Sequence, residues 1–332
     1  MALGFARLAI NGDRTAGRQP HDHGDLVGAI NGEIYNHRAL RGAHGLEPSG
    51  CDTQVVLPFF GRSGPHIIDD LDGFYSAVIL RRSVRELICL RDHMGQKPLF
   101  VGRSSSELFI TSELKILDEC DCFECLPRGA ARVELDTVEV DTVEVEQVAR
   151  HRPIAPGPNL KRLFESAVRK RLPNPDQPVG VFLSGGLYSS LVAAFVSRLR
   201  DDVIHFTLGN PDGPDRRAVK PVVEALGLRA VRTVPLPRAV QLSELVRAAV
   251  HATESFNPSV VSNALATYLL ASAAHEAGIK VALTGEGADE LFGGYHSFRQ
   301  QEPWQAVRRP LIDDMQFTER RRLDMRCMAH SG

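Results

Sequence analysis

Two stretches place glycines and hydroxyl-bearing or acidic residues directly after short apolar runs, a pattern suited to phosphate. Val179-Gly180-Val181-Phe182-Leu183 runs into Ser184-Gly185-Gly186-Leu187-Tyr188-Ser189-Ser190. Two glycines let the backbone approach a ligand closely. Successive amides at the start of a helix face one point and favour an anion. Serine hydroxyls add donors. A plain strand-to-helix turn would leave the glycine pair and the three serines unused. The second stretch follows Val281–Leu283 and reads Thr284-Gly285-Glu286-Gly287-Ala288-Asp289-Glu290-Leu291-Phe292-Gly293-Gly294-Tyr295. Carboxylates lodged between glycines at a strand end suit a magnesium ion beside phosphates. An acidic surface turn would not account for Leu291, Phe292 and the four glycines. A third motif, Asn31-Gly32-Glu33-Ile34-Tyr35-Asn36, follows the apolar run Leu26–Ile30. Asn-Gly is a turn signal on its own.

The elements that must carry these motifs divide the chain in two. The first half reads as β-rich, with strand-like runs at 26–30, 74–80, 87–91, 99–101 and 108–111. Helical patches interrupt it near 52–62 and 113–118. Asp-Thr-Val-Glu-Val occurs twice in tandem over 136–145, an alternation expected of a strand or hairpin. The Pro/Gly-rich stretch around His151–Pro158 is the expected linker. This places one domain at 1–148, a linker at 149–158 and a second domain at 159–332. The second half alternates: strand 179–183, helix 189–199, strand 203–208, helix 217–226, strand 230–234, a long helical region 241–277 in several pieces, and strand 280–284. Such alternation argues for a parallel sheet with helices on both faces, where ligands sit at the carboxyl ends of the strands.

Composition excludes several classes. Of 332 residues, 43% are hydrophobic and 24% charged, with a formal net charge of −2, the balance of a globular protein. That charge gives no reason to expect nucleic acid or a membrane surface as partner. The longest apolar runs are too short to span a bilayer, and no apolar signal core follows Met1. A cytoplasmic protein is the default expectation. Six cysteines are too sparse for a disulfide scaffold. Cys120, Cys122 and Cys125 cluster, but a zinc site wants a fourth ligand, so reduced thiols are expected.

Ser184 to Ser190 together with Gly285 to Tyr295 resembles the paired signature of the asparagine synthetase family. The resemblance implies a PP-loop ATP pyrophosphatase fold, a doubly wound parallel sheet. In that family ATP is cleaved between its α and β phosphates, a carboxylate becomes an acyl-adenylate, and ammonia displaces AMP. Carried over, Ser184, Gly185, Gly186, Ser189 and Ser190 would cradle pyrophosphate. Phe182, Leu208 and Gly285 would line the adenosine pocket, Glu286 would sit near the reacting carboxyl, and Asp289 would hold Mg2+. The hexapeptide Asn31–Asn36 resembles the family's class II glutaminase domain, which implies an N-terminal nucleophile-type αββα sandwich, here incomplete. The Asn31 side chain and the Gly32 amide would form the oxyanion hole, a device worth roughly 10²–10³ in rate per donor. Glu33 and Asp52 would hold the glutamine α-amine and Arg7 its α-carboxylate. Arg91–Phe100 and Thr111–Lys115 also match the family, with a structural role and with their charges on a domain interface. The implied partners are glutamine and a carboxylate, aspartate by default, and the resemblance allows a homodimer.

This chain departs from the family pattern at Tyr188, where the family has an Asp expected to bind magnesium. A phenol is a poor ligand for a hard cation. Altering a group one step removed from a metal typically costs about 10- to 100-fold, and losing a direct carboxylate should cost at least that. Weak ATP activation is therefore expected. Class II glutaminases also use a cysteine at the processed N-terminus, its own α-amine acting as base, whereas position 2 is Ala2 and the first cysteine is Cys51. In the resemblance, Met1 falls several tens of residues into the first domain. Gly332 precedes the family's Arg-x-Pro-Phe-Leu-Asp segment and catalytic lysine. The expectation is that these residues form the middle of a full-length enzyme, either as a fragment or as a natural variant. A reading from another class is a non-catalytic homologue that binds a nucleotide or a partner. Amidation in natural-product biosynthesis uses the same scaffold, so fold alone does not choose. An unrelated adenylating enzyme would share the first loop but not Asn31–Asn36.

Overall fold

The computed structural model describes residues 2–10, 15–47, 50–105, 107–133, 145–149, 159–210 and 213–294, with 145–149 and 214–215 by backbone alone. The chain divides into two compact units, Met1–Pro156 and Gly157–Gly332.

The first unit contains strands β1 (His21–His23), β2 (Leu26–Ile34), β3 (Gly73–Arg81), β4 (Glu86–Arg91), β5 (Phe100–Arg103), β6 (Leu108–Thr111), β7 (Cys122–Cys125), β8 (Gly129–Val133) and β9 (Val145–Ala149). Among the described residues they form an antiparallel six-stranded sheet in the order β1-β2-β3-β4-β8-β9 and an antiparallel three-stranded sheet in the order β6-β5-β7. Alternation along the strands sends two apolar sets to opposite faces. Ile30, Ile34, Tyr75, Ala77, Ile79, Ile88 and Leu90 pack against helices α1 (His37–His44) and α2 (Val56–Ser63) and the 3-10 turn Gly64–Asp69. Val78, Leu80, Leu87, Cys89 and Val133 face the other way, onto Leu99, Val101, Leu108 and Ile110 of the smaller sheet. The result is a stack of helix, sheet and sheet. Gly102 points away from that interface, toward Leu117 of the 3-10 turn Leu114–Leu117, which covers part of the outer face.

Among its described residues the second unit has four parallel strands, β10 (Val179–Phe182), β11 (Val203–Leu208), β12 (Val231–Val234) and β13 (Val281–Leu283), in the order β12-β11-β10-β13. Helices α3 (Leu160–Arg171), α4 (Leu187–Leu199) and α5 (Pro214–Leu226) cover one face, through Val168, Val192, Val196 and Val219 on Val179, Val181 and Leu183. On the other face Phe182, Phe206 and Leu208 pack against α7 (Pro258–Glu276), with α6 (Ala239–Thr253) beside it. Fully burying a Val or Phe side chain is worth roughly 1.5–3 kcal/mol, so these two apolar faces hold the sheet between its helices. A one-and-a-half-turn helix, α8 (Ala288–Phe292), follows β13.

Most expected elements fall where sequence placed them, with two corrections. The Asn31–Asn36 motif does not follow a strand, because β2 runs on through Ile34 in register with β3. Gly32 takes φ +143°, and a Cβ there would collide with the Phe74 carbonyl oxygen. Its glycine serves close strand approach rather than a turn. Arg91 and Asp92 do not carry surface charge to an interface. Each is 1% exposed. The tandem repeat over 136–144, the linker at 150–158 and everything after Gly294 lie outside the described residues.

Candidate active site

Among the described residues of the first unit, one edge of β2 is finished by side chains instead of a neighbouring strand. The three-residue β1 pairs only with Leu26–Gly28. Beyond it the Gln19 carboxamide takes over: its Nε2 donates to the Ile30 carbonyl (2.8 Å), and the Ile30 N–H donates to its Oε1 (2.6 Å). Two residues past Gly32, the Ile34 N–H donates to Asp52 Oδ2 (2.7 Å). Gly32 shares the parity of Ile30 and Ile34 and lies between them, so its amide turns toward the same edge. The ladder agrees. Tyr75, opposite Gly32, spends its own N–H and carbonyl on Asp92.

A cavity of about 180 Å3 opens at this edge. Arg7, Asn31, Gly32, Glu33 and Asp52 all line it, together with Phe5, Gln19, Cys51, Thr53, Phe74 and Lys97. These are all five residues that the resemblance assigns to glutamine. Each is delivered by local structure. Arg7 lays its guanidinium against Gly17, where any Cβ would collide with it. Asn31 and Glu33 project from the face of β2 that carries their cross-strand partners Ser76 and Phe74. Asp52 precedes the 3-10 turn Thr53–Val55. The buried Arg41 donates to the Cys51 carbonyl (2.7 Å) and fixes that corner. Burial lowers the Arg41 pKa from its ordinary value. The His21 ring lies 3.0 Å from Thr53 Oγ1, and Cys51 Sγ lies 3.3 Å from the same hydroxyl. Burial also pulls the His21 pKa down, against the opposing charge of Asp52.

Arg91 and Asp92 lie behind the wall and support its Lys97 side. Asp92 Oδ1 accepts from the N–H groups of Met94 (3.0 Å) and Gln96 (3.1 Å), and its Oδ2 from those of Lys97 (3.1 Å) and Tyr75 (3.3 Å). Arg91 donates to the carbonyls of Lys97 (3.1 Å), Gly95 (3.2 Å) and Leu126, and to Cys125 Sγ (3.1 Å). The two charges are buried because the closed loop satisfies them. They hold Lys97 in place.

In the second unit the two glycine loops meet at the carboxyl ends of β10 and β13. Ser184 Oγ and Ser189 Oγ are 3.0 Å apart, and the Ser184 N–H donates to Ser189 Oγ (3.2 Å). Ser190 Oγ donates to the Gly186 carbonyl (2.7 Å). Gly185 takes φ +80° with Ala218 backbone 2.6 Å from where its Cβ would stand, so only glycine fits. A Cβ on Gly285 would stand 3.0 Å from Ser189 N and from Tyr188 Cβ, which places the second loop directly on the first. Phe182 and Leu208 sit half-buried at the ends of adjacent strands on the α7 face. Glu286 donates its N–H to Thr284 Oγ1 (3.4 Å).

Tyr188 stacks on Phe292, with centroids 6.3 Å apart and an interplanar angle of 24°. A Cβ on Gly294 would collide with Asp289 Oδ1 and stand 3.2 Å from the Tyr188 hydroxyl, so phenol and carboxylate face one point. Among the described residues no group of three or more His, Cys, Asp or Glu gathers for a metal. Magnesium on a nucleotide typically takes one or two carboxylates and completes its shell with phosphates and water. Asp289 with Tyr188 as neighbour meets that at its lower limit.

Comparison with known proteins decides the family. The asparagine synthase family model matches residues 159–330, and the glutamine amidotransferase domain model matches residues 1–148. The chain belongs to the asparagine synthase family. It is 32% identical over 318 residues to asparagine synthetase [glutamine-hydrolyzing] 3 of Arabidopsis thaliana, covering 90% of this chain and 54% of that protein. Asparagine synthetase B of Escherichia coli K12 is 30% identical over 326 residues, covering 90% of this chain and 57% of that protein. The pea root asparagine synthetase is 33% identical over 318 residues, with 90% and 54% covered. The chain thus spans about half the length of these curated relatives. No helix among the described residues is long and apolar enough to cross a membrane.

Lys97, Cys51, Thr53 and Gln19 extend the site beyond the residues assigned to glutamine, and Gly17 makes room for the Arg7 guanidinium. None carries a local signal strong enough to find it. Lys97 came closest, since it lies within the family-like Arg91–Phe100 segment.

Proposed function

We propose that this chain carries the two half-sites of a glutamine-dependent amidotransferase, one for glutamine and one for activating a carboxylate with ATP. The observation that carries the reading is the cavity on the β2 edge, which gathers Arg7, Asn31, Gly32, Glu33 and Asp52 from three separate stretches of sequence. Arg7 would take the glutamine α-carboxylate, and Glu33 with Asp52 the α-amine. The Gly32 amide and Asn31 side chain would receive the developing oxyanion of the γ-carbonyl, as preorganised donors do. The helix–sheet–sheet stack supports reading this unit as three layers of an N-terminal nucleophile-type αββα sandwich.

In the second unit, Ser184, Gly185, Gly186, Ser189 and Ser190 would cradle pyrophosphate at the start of α4. Phe182, Leu208 and Gly285 would border the adenosine, and Glu286 the reacting carboxyl. Mg2+ bound to the phosphates would be held by Asp289 and would offset their charge. Aspartate is the default carboxylate, and a homodimer is the assembly the family reading allows.

Two measurements on the full chain test this. Calorimetric titration should show L-glutamine binding. ATP–pyrophosphate exchange with aspartate should be weak in the native protein and rise at least ~10-fold in Tyr188→Asp, which restores a second carboxylate. A folded chain that binds no glutamine would sink the first half of the proposal. Strong exchange with Tyr188 in place would overturn the role given to that residue. The stacked Tyr188–Phe292 pair also favours a second reading, a homologue that binds nucleotide without turning it over. ATP binding with no exchange in either protein selects it.

A further inference from the structure

The cavity contains one charged group that the glutamine reading leaves without work. Arg7, Glu33 and Asp52 suffice for the α-carboxylate and α-amine of an amino acid. Lys97 is a second cation on the same wall. Its placement is not accidental to the fold. The Lys97 N–H is held by Asp92 and its carbonyl by Arg91, and both of those side chains are fully buried. Its ammonium lies 5.2 Å from the centre of the Phe74 ring, over the face. Phe74 is the cross-strand partner of Glu33, so the ammonium stands on the same face of the sheet as Glu33 and Asn31. A cation over an aromatic face is stabilised without being neutralised. It therefore keeps its charge for another partner. Burial holds the Lys97 pKa below its ordinary value, against the opposing charges of Glu33 and Asp92.

Arg7 and Lys97 supply two cations, and Glu33 and Asp52 two carboxylates, to about 180 Å3. That set matches a ligand with two carboxylates and one ammonium at least as well as one with a neutral amide. We propose that Lys97 is a specificity-determining residue, a second anionic anchor that lets this cavity hold L-glutamate as well as L-glutamine. The inference rests on the reading of the cavity as an amino-acid site. The α-carboxylate goes to Arg7, the ammonium to Glu33 and Asp52, and the side-chain carboxylate to Lys97. Glutamine uses the first two contacts and leaves Lys97 over the Phe74 ring.

The test is calorimetric titration of the full chain with L-glutamate and, separately, with L-glutamine. Both ligands should bind the native protein. Lys97→Met should weaken glutamate at least ~10-fold while changing glutamine less than about 3-fold, the size of a lost charge-assisted contact. Lys97→Arg should keep glutamate within about 3-fold of native. Because one ligand is the control for the other, misfolding of the Met variant cannot imitate a selective loss. Equal weakening of both ligands by Lys97→Met would reduce Lys97 to a structural part and overturn the proposal. Binding of glutamine but not glutamate by the native chain overturns it while leaving the glutamine pocket standing. Binding of neither ligand removes both.

Discussion

The two candidate sites are built in opposite ways. The nucleotide loops are local: each follows its strand directly, and most hydrogen bonds within Ser184–Ser190 span five residues or fewer. The cavity on β2 is convergent. Its wall brings together residues 5–8, 10, 19, 30–33, 51–53, 74 and 97, and it is held by buried polar groups such as Arg41, Arg91 and Asp92. A local loop stands or falls with its own backbone. A convergent pocket inherits its geometry from groups that never touch the ligand.

Substitutions sharpen that contrast. The largest effect is expected from Gly32→Ala. The added methyl collides with the Phe74 carbonyl oxygen at a φ that L-residues avoid, so β2 and β3 must separate locally. A loss of about 3 kcal/mol in urea unfolding, together with loss of glutamine binding, is the expected result. Next is Asp92→Ala, which strips the acceptor from four N–H groups. It should cost about 2–3 kcal/mol and weaken ligand binding in the cavity although Asp92 does not line it. Unchanged affinity in a folded Asp92→Ala protein would break the claim that the pocket is set from behind. The nucleotide side should be indifferent to both changes, read by ATP titration.

The smallest effect is on pH dependence, and it should appear in both units. Burial lowers the pKa values of His21 and His37 in the first unit and of His205 in the second. In each case the folded value lies below the unfolded one, so the unfolded chain binds the proton more readily. Stability is therefore complete above about pH 6.5 and declines as the pH falls from there toward the folded values. The urea midpoint should drop between pH 7.5 and pH 5.5. His205→Gln should shrink that drop, since the ring of His205 lies inside, with Ala230 O and Ser197 Oγ each 3.2 Å from its nitrogens.

What sequence could reach follows the same division. The alternation of strands and helices in the second half, and both of its loops, were legible because each signal occupies a few adjacent residues. Helix α3 is harder. It is highly charged, and only its Asn159 cap and the spacing of Phe164 and Val168 announce it. In the first half, Asn-Gly reads locally as a turn. The structure uses that glycine inside a strand, because the carbonyl that demands it lies more than forty residues away in sequence. Arg91 and Asp92 read as charges for a domain interface for a similar reason. Nothing in a linear stretch shows that the loop they begin will close over them. Lys97 becomes meaningful only after that closure.

The Gln19 clamp on Ile30 has a consequence for hydrogen exchange. An amide in a sheet ordinarily exchanges when strands part. The Ile30 amide is instead guarded by a single side chain, and releasing it needs only a rotation of Gln19. Its exchange rate should report the opening of the cavity's rim, separately from the unfolding of the sheet to which Ile30 belongs.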